Sequence, residues 1–191
     1  MKVRILTIFV LSGALASPAL AHPGLGQVHS FVAGLAHPVS GADHILAMFA
    51  VGLWGVLARG RAIWLWPSAF VATMLVGFAA AAMGLHIPFV ESAILSSVIV
   101  LGLCVAFAIA APLWLGAAMV ALFAFFHGFA HGIEVANASA IAYVVGFALA
   151  TGWIHSAGIG FGIMAEGLIG KIALRAMGAL TVLGGVALIA N

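Results

Sequence analysis

The sequence predicts an all-α polytopic membrane protein, with six transmembrane helices behind a cleaved signal peptide and the first helix broken near residues 37–41. Three observations predict it. Of 191 residues, 66% are hydrophobic and only 5% are Asp, Glu, Lys or Arg, against about 25% charged in an ordinary soluble domain. The apolar residues come in runs long enough to cross a bilayer as helix, and they lack the ten-residue alternation of a membrane β-barrel. The few basic residues fall where one side of a membrane would collect them. Such a composition excludes a soluble domain, a disordered chain and a nucleic-acid binder.

The elements follow in order. Residues 1–21, MKVRILTIFVLSGALASPALA, read as a secretory signal. Lys2 and Arg4 form a basic start, Ile5 to Ala16 an apolar stretch shorter than the ~20 residues a span needs, and Ala19-Leu20-Ala21 a small-x-small cleavage site behind Pro18. The mature chain, 22–191, is then one transmembrane domain beginning at His22. The formal charge of +2 belongs to the leader, because Arg59, Arg61, Lys171 and Arg175 balance Asp43, Glu91, Glu134 and Glu166. The single cysteine, Cys104, lies in an apolar run, makes no internal disulfide and reads as packing.

Six apolar runs come next: 42–58, 62–83, 92–111, 113–132, 138–158 and 171–190. Short connections make neighbours antiparallel. Signal cleavage places His22 outside the cytoplasm, so the first span delivers Arg59 and Arg61 to the cytoplasm and the fifth ends near Lys171 and Arg175. All four mature basic residues are then cytoplasmic, as the positive-inside rule requires. An even number of spans returns Asn191 to the outside, so both mature termini lie outside the cytoplasm, with lipid as the surroundings of the helices.

Two local features stand out. The apolar segment 28–58 is too long for one straight crossing and is interrupted by Pro38, Ser40 and Gly41. Pro38 disfavours helix at His37, and Ser40 before Asp43 resembles an N-cap followed by a first-turn acid. Irregular backbone at membrane depth persists only where it lines a cavity or is buried in protein. Gly128 and Gly132 form a G-x-x-x-G step that permits close helix approach. Gly160-Phe161-Gly162 reads as a loop with no preceding strand, which is no dinucleotide fingerprint. Trp54, Trp64, Trp66, Met48 and Met74 read as packing residues and interface anchors, with Met48 one turn after His44.

The polar residues carry the chemistry. The chain holds eight histidines and four acids. In the predicted topology His22, His29, His37, His44, His86, His127 and His131 sit at or near the outer face, with Asp43, Glu91 and Glu134; His155 and Glu166 lie on the inner side. Residues 125–134, FFHGFAHGIE, put His127, His131 and Glu134 at i, i+4 and i+7 on one helix face, a metal-ligand set flanked by glycines. It is not the H-E-x-x-H arrangement of zinc proteases. Residues 37–44, HPVSGADH, add His37, Asp43 and His44, which converge if the break folds His37 back over the helix start. Asp43 also suits a first-turn acid against the helix dipole, and the two roles are compatible. Two further candidates are His22, offering an amine and an imidazole, and Glu91, which opens the third span after Pro88.

HPVSGADHILAMFAVGLW (37–54) together with FHGFAHGIE (126–134) resembles the HupE/UreJ family, over essentially the whole mature chain and leader. The resemblance implies a hydrogenase- or urease-accessory permease importing Ni²⁺ across the bacterial inner membrane, with Co²⁺ as the alternative ion. Its motif positions map onto His37, Asp43, His44, His127, His131 and Glu134. No catalysis is implied. The residues place a divalent ion on the periplasmic side, where the first span begins and the fourth ends. Imidazole suits Ni, Cu, Zn and Co alike, and no thiolate lies nearby to favour Cu(I). Binding should weaken as falling pH protonates the imidazoles. The rival reading is an intramembrane zinc-dependent hydrolase with His44, His127 and His131 as ligands and Glu134 or Asp43 as base. It suffers from too many ligand candidates and no separate oxyanion donor. A haem cytochrome would place histidine pairs deep in two helices, whereas these crowd one face.

Overall fold

The computed structural model describes residues 30–134, 140–168 and 170–190. The expected leader and His22 lie outside them, as does Asn191. Seven helices and no strand are found among the described residues: α1 (Phe31–Ser40), α2 (Ala42–Ala58), α3 (Ala62–Ala82), α4 (Val90–Ala106), α5 (Leu113–Glu134), α6 (Ala140–Leu168) and α7 (Lys171–Ala190). By length and composition α3, α5, α6 and α7 can each cross a membrane, and α1 with α2 makes a fifth candidate bent by 82°. Among the described residues four helices, or five with the broken pair, thus meet the length and apolarity of a span, and the expected six are not confirmed. The run 92–111 falls short because its helix ends at Ala106, leaving 17 residues, about 26 Å at 1.5 Å per residue against a core of about 30 Å.

The break lies where the sequence places it, but its chemistry differs. Pro38 sits inside the last turn of α1 and is buried, and His37 before it is helical; lacking an N–H, the proline leaves out the one bond to the Gly34 carbonyl without breaking the helix. The chain turns at Gly41, which is extended (φ −99°, ψ 121°). Ser40 does not cap α2; its hydroxyl donates back to the His37 carbonyl at 2.7 Å, closing the last turn of α1. The start of α1 is capped by Ser30, whose Oγ accepts from the Ala33 N–H at 3.0 Å.

Helix α2 is the axis of the bundle, packed against α1, α3, α4, α6 and α7. Residues 47–56 are almost wholly buried. Lipid tails are as apolar as leucine, so helix association rests on close fit more than on transfer from water. Glycines provide that fit. A Cβ on Gly128 or Gly132 would run into the α3 backbone at Met74 or Phe78, as the G-x-x-x-G step suggests. Gly52 and Gly158 bring α2 and α6 together in the same way.

Two readings are corrected here. Gly160, Phe161 and Gly162 are helical, within the 29 residues of α6, because the apolar run continues past residue 158. Trp54 and Trp66 are fully buried, not interface anchors. Their rings pack at 4.2 Å between centroids. Trp54 Nε1 donates to the Ile109 carbonyl at 2.9 Å and Trp66 Nε1 to the Leu113 carbonyl at 3.0 Å. Ile109 lies in the largely exposed connection between α4 and α5 and Leu113 opens α5, so the two bonds tie that connection to the buried tryptophan pair. Trp64 alone of the three faces outward.

Candidate metal centre

The bend at Gly41 positions the site. His37 lies in the last turn of α1 and His44 in the first turn of α2, so an 82° fold between the helices lays one ring near the other, 5.9 Å between centroids. The end of α5 arrives from the side. His131 comes within 4.2 Å of His37 and 4.8 Å of His44, ring centre to ring centre. One ligand nitrogen from each of His37, His44 and His131 lies within 4.8 Å of the others. The closest pair is His44 Nε2 and His131 Nε2, 2.6 Å apart. On a shared ion with metal–nitrogen bonds of about 2.0–2.1 Å, nitrogens stand about 3.0–3.4 Å apart. Ring movements of about 1 Å therefore convert this group into a ligand set.

Asp43 sits at the back of His44, with Oδ1 2.9 Å from Nδ1. The contact is at ion-pair distance, although its angle does not make it a hydrogen bond. A carboxylate on one imidazole nitrogen leaves the other to face a metal and raises its basicity. In this arrangement Asp43 orients His44 and does not itself join the three nitrogens. Gly41 makes the approach possible. A Cβ there would stand 2.7 Å from Asp43 Oδ1 and 3.0 Å from His44 Nδ1.

His127 and His131 differ, although one pattern on α5 holds both. His127 lies one turn further in and is fully buried. Its Nδ1 donates to the Phe123 carbonyl at 3.0 Å, which fixes the tautomer and leaves Nε2 without a hydrogen-bond partner. Its ring is 5.1 Å from that of His44. It flanks the three-histidine group without belonging to it. Glu134 is the last residue of α5, and its side chain lies outside the described part. Glu91 is exposed in the first turn of α4 and stands outside the three-histidine group. His22 lies outside the described residues.

Two aromatic residues complete the site and carry no ligand signal in sequence. Phe147 of α6 touches all three histidines, with centroids 5.9 Å from His37, 6.1 Å from His44 and 4.7 Å from His131. Phe70 of α3 lies deeper, against His127 at 5.5 Å. Both are buried, and they wall the polar group with rings, which keeps water out and strengthens interactions inside. A cavity of about 710 Å³ lies elsewhere, between α3 and α6; His155 lines it along with Trp64, Ser68, Trp153 and Ser156. Ligand chemistry places the metal centre at the histidines, and the cavity is mostly apolar groove.

A helical membrane bundle that folds three imidazoles together, one backed by a carboxylate, defines a metal-handling membrane protein. Sequence comparison agrees and is more specific. The HupE / UreJ protein family matches residues 9–188. A curated relative, Protein HupE of Rhizobium leguminosarum bv. viciae, is 44% identical over 178 residues, covering 92% of this chain and 93% of the relative. The chain belongs to the HupE/UreJ family. This is a hydrogenase- and urease-accessory family of nickel/cobalt transporters, and its members are not catalysts. The zinc-hydrolase reading finds no support. No solved structure matches the chain.

Proposed function

We propose that this protein is a permease that admits Ni²⁺ from the periplasm to the cytoplasm, supplying the metal for hydrogenase or urease maturation. Co²⁺ is the alternative ion, since imidazole and carboxylate groups serve both. The supporting observation is the convergence of His37, His44 and His131 within 4.8 Å, with Asp43 behind His44. The ion is captured at the end where α2 begins. His37, His44 and His131 are the ligands, Asp43 positions His44, and His127 takes the ion one turn inward. Glu134 at the end of α5, Glu91 at the start of α4 and His22 are assigned to the approach. The periplasmic placement rests on the basic residues at the other end, where Arg59 and Arg61 follow α2 and Lys171 and Arg175 open α7.

Uptake into proteoliposomes tests this directly. Purified protein should carry Ni²⁺ to a trapped nickel-sensitive dye, and His44→Ala should abolish the signal. Entry at the wild-type rate in both His44→Ala and His131→Ala would rule out the proposed site.

A further inference from the structure

We propose that His155 is a second, inner ligand position for the transported divalent cation, reached from the three-histidine group past His127 and Phe70. The proposal rests on the permease reading above. His155 is 1% exposed, and neither ring nitrogen has a hydrogen-bond partner. The Thr151 carbonyl one turn back is near but outside hydrogen-bond geometry. A fully buried imidazole with both nitrogens unpaired is a costly way to fill space in an apolar bundle, and a leucine would fill it without the cost. Ionisable residues within membrane bundles face ion pathways far more often than they serve packing.

Its position fits a pathway. His155 lies eight residues after Phe147, the ring shared by all three outer histidines, so it stands about 12 Å deeper along α6 at 1.5 Å per residue. Gly52, eight residues after His44 on α2, meets the His155 backbone at that depth, so both helices place the two levels equally far apart. Between them stand His127, with Nε2 unpartnered, and Phe70, fully buried. The Phe70 ring lies 5.5 Å from His127 and 4.9 Å from His155. One aromatic side chain therefore separates two buried imidazoles, His127 with Nε2 unpartnered and His155 with both nitrogens unpartnered. Around His155 are further donors of the right kind. The Thr151 hydroxyl points at the Met74 sulfur at 3.7 Å, and both residues are buried. The cleft between α3 and α6 borders His155 and leaves its ring room to turn. Two divalent ions this close would repel, so the levels fill in turn, the outer one capturing and the inner one receiving.

The test separates capture from passage. In purified protein, His155→Ala should leave equilibrium Ni²⁺ affinity within about twofold of wild type while uptake into proteoliposomes falls at least tenfold. His155→Cys, made in a Cys104→Ala background, should bind Cd²⁺ with a thiolate-to-cadmium absorption band, since a thiolate is a strong ligand for soft metals. It should also recover Cd²⁺ uptake that His155→Ala lacks. Unchanged uptake in His155→Ala would overturn the proposal. So would uptake lost in step with melting temperature together with no cadmium band in His155→Cys, which is the signature of a packing residue. Failure of the permease reading looks different: the wild-type protein itself would then carry no Ni²⁺ into the proteoliposomes.

Discussion

The two ends of α2 use the same kind of helix for opposite purposes. At its start the chain breaks at Gly41, α1 folds over, and His37, Asp43, His44, His127 and His131 crowd into a few ångströms. At its other end Trp54 packs against Trp66 with the rings tilted, and their ring N–H groups bond to the Ile109 and Leu113 carbonyls. The first end holds polar atoms in reserve, among them His127 Nε2 with no hydrogen-bond partner. The second satisfies the polar atoms it contacts and packs the rest with rings. Polar groups left unpaired in a buried place carry function, and buried polar groups that are fully bonded carry stability.

That contrast predicts a graded series. The largest effect belongs to His44→Ala, which removes a ligand and strands Asp43; Ni²⁺ affinity by isothermal titration should fall about 100-fold or more, with the helical circular dichroism unchanged. Asp43→Asn keeps the shape but loses the charge behind His44, so a loss of about 10- to 100-fold is expected in the same titration. Gly41→Ala should cost about tenfold by pushing the Asp43–His44 pair apart, a weaker form of the same injury. A titration in which Gly41→Ala matches wild type would break the link between the bend and the site. At the other end the effects should appear in stability instead. Trp54→Ala should lower the unfolding free energy by about 3–5 kcal/mol while Ni²⁺ affinity holds. Trp66→Phe, which loses chiefly the bond to the Leu113 carbonyl, should cost about 1 kcal/mol in a thermal melt. If Trp54→Ala weakened metal binding as severely as His44→Ala, the two ends would not be separable.

The helices were legible because a membrane demands long apolar runs, and all six runs match helices that begin within two residues of their predicted start. The bent segment was legible too, from Pro38, Ser40 and Gly41. What actually turns the chain was not, because Pro38 stays inside α1 and the decisive steric fact is the space Gly41 leaves for Asp43 and His44. Helical spacing put His127 and His131 on one face correctly. It could not say that only His131 meets α1 and α2, since that depends on which turn of α5 lies level with the bend. Phe147 and Phe70 left no sequence signal because one phenylalanine among 13 looks like any other. The extent of α4 is not legible from apolarity alone, because residues 107–111 are apolar enough for helix; the chain leaves the helix at Ala108, with φ 51°, ahead of Pro112.

The central claim is that three imidazoles at the bend hold the ion. X-ray absorption on the Ni²⁺-loaded protein measures it most directly. The account predicts imidazole scattering from about three rings in the wild type and loss of two of them in the His44→Ala, His131→Ala double variant. A spectrum of oxygen ligands alone, or one that the double variant leaves unchanged, would contradict it.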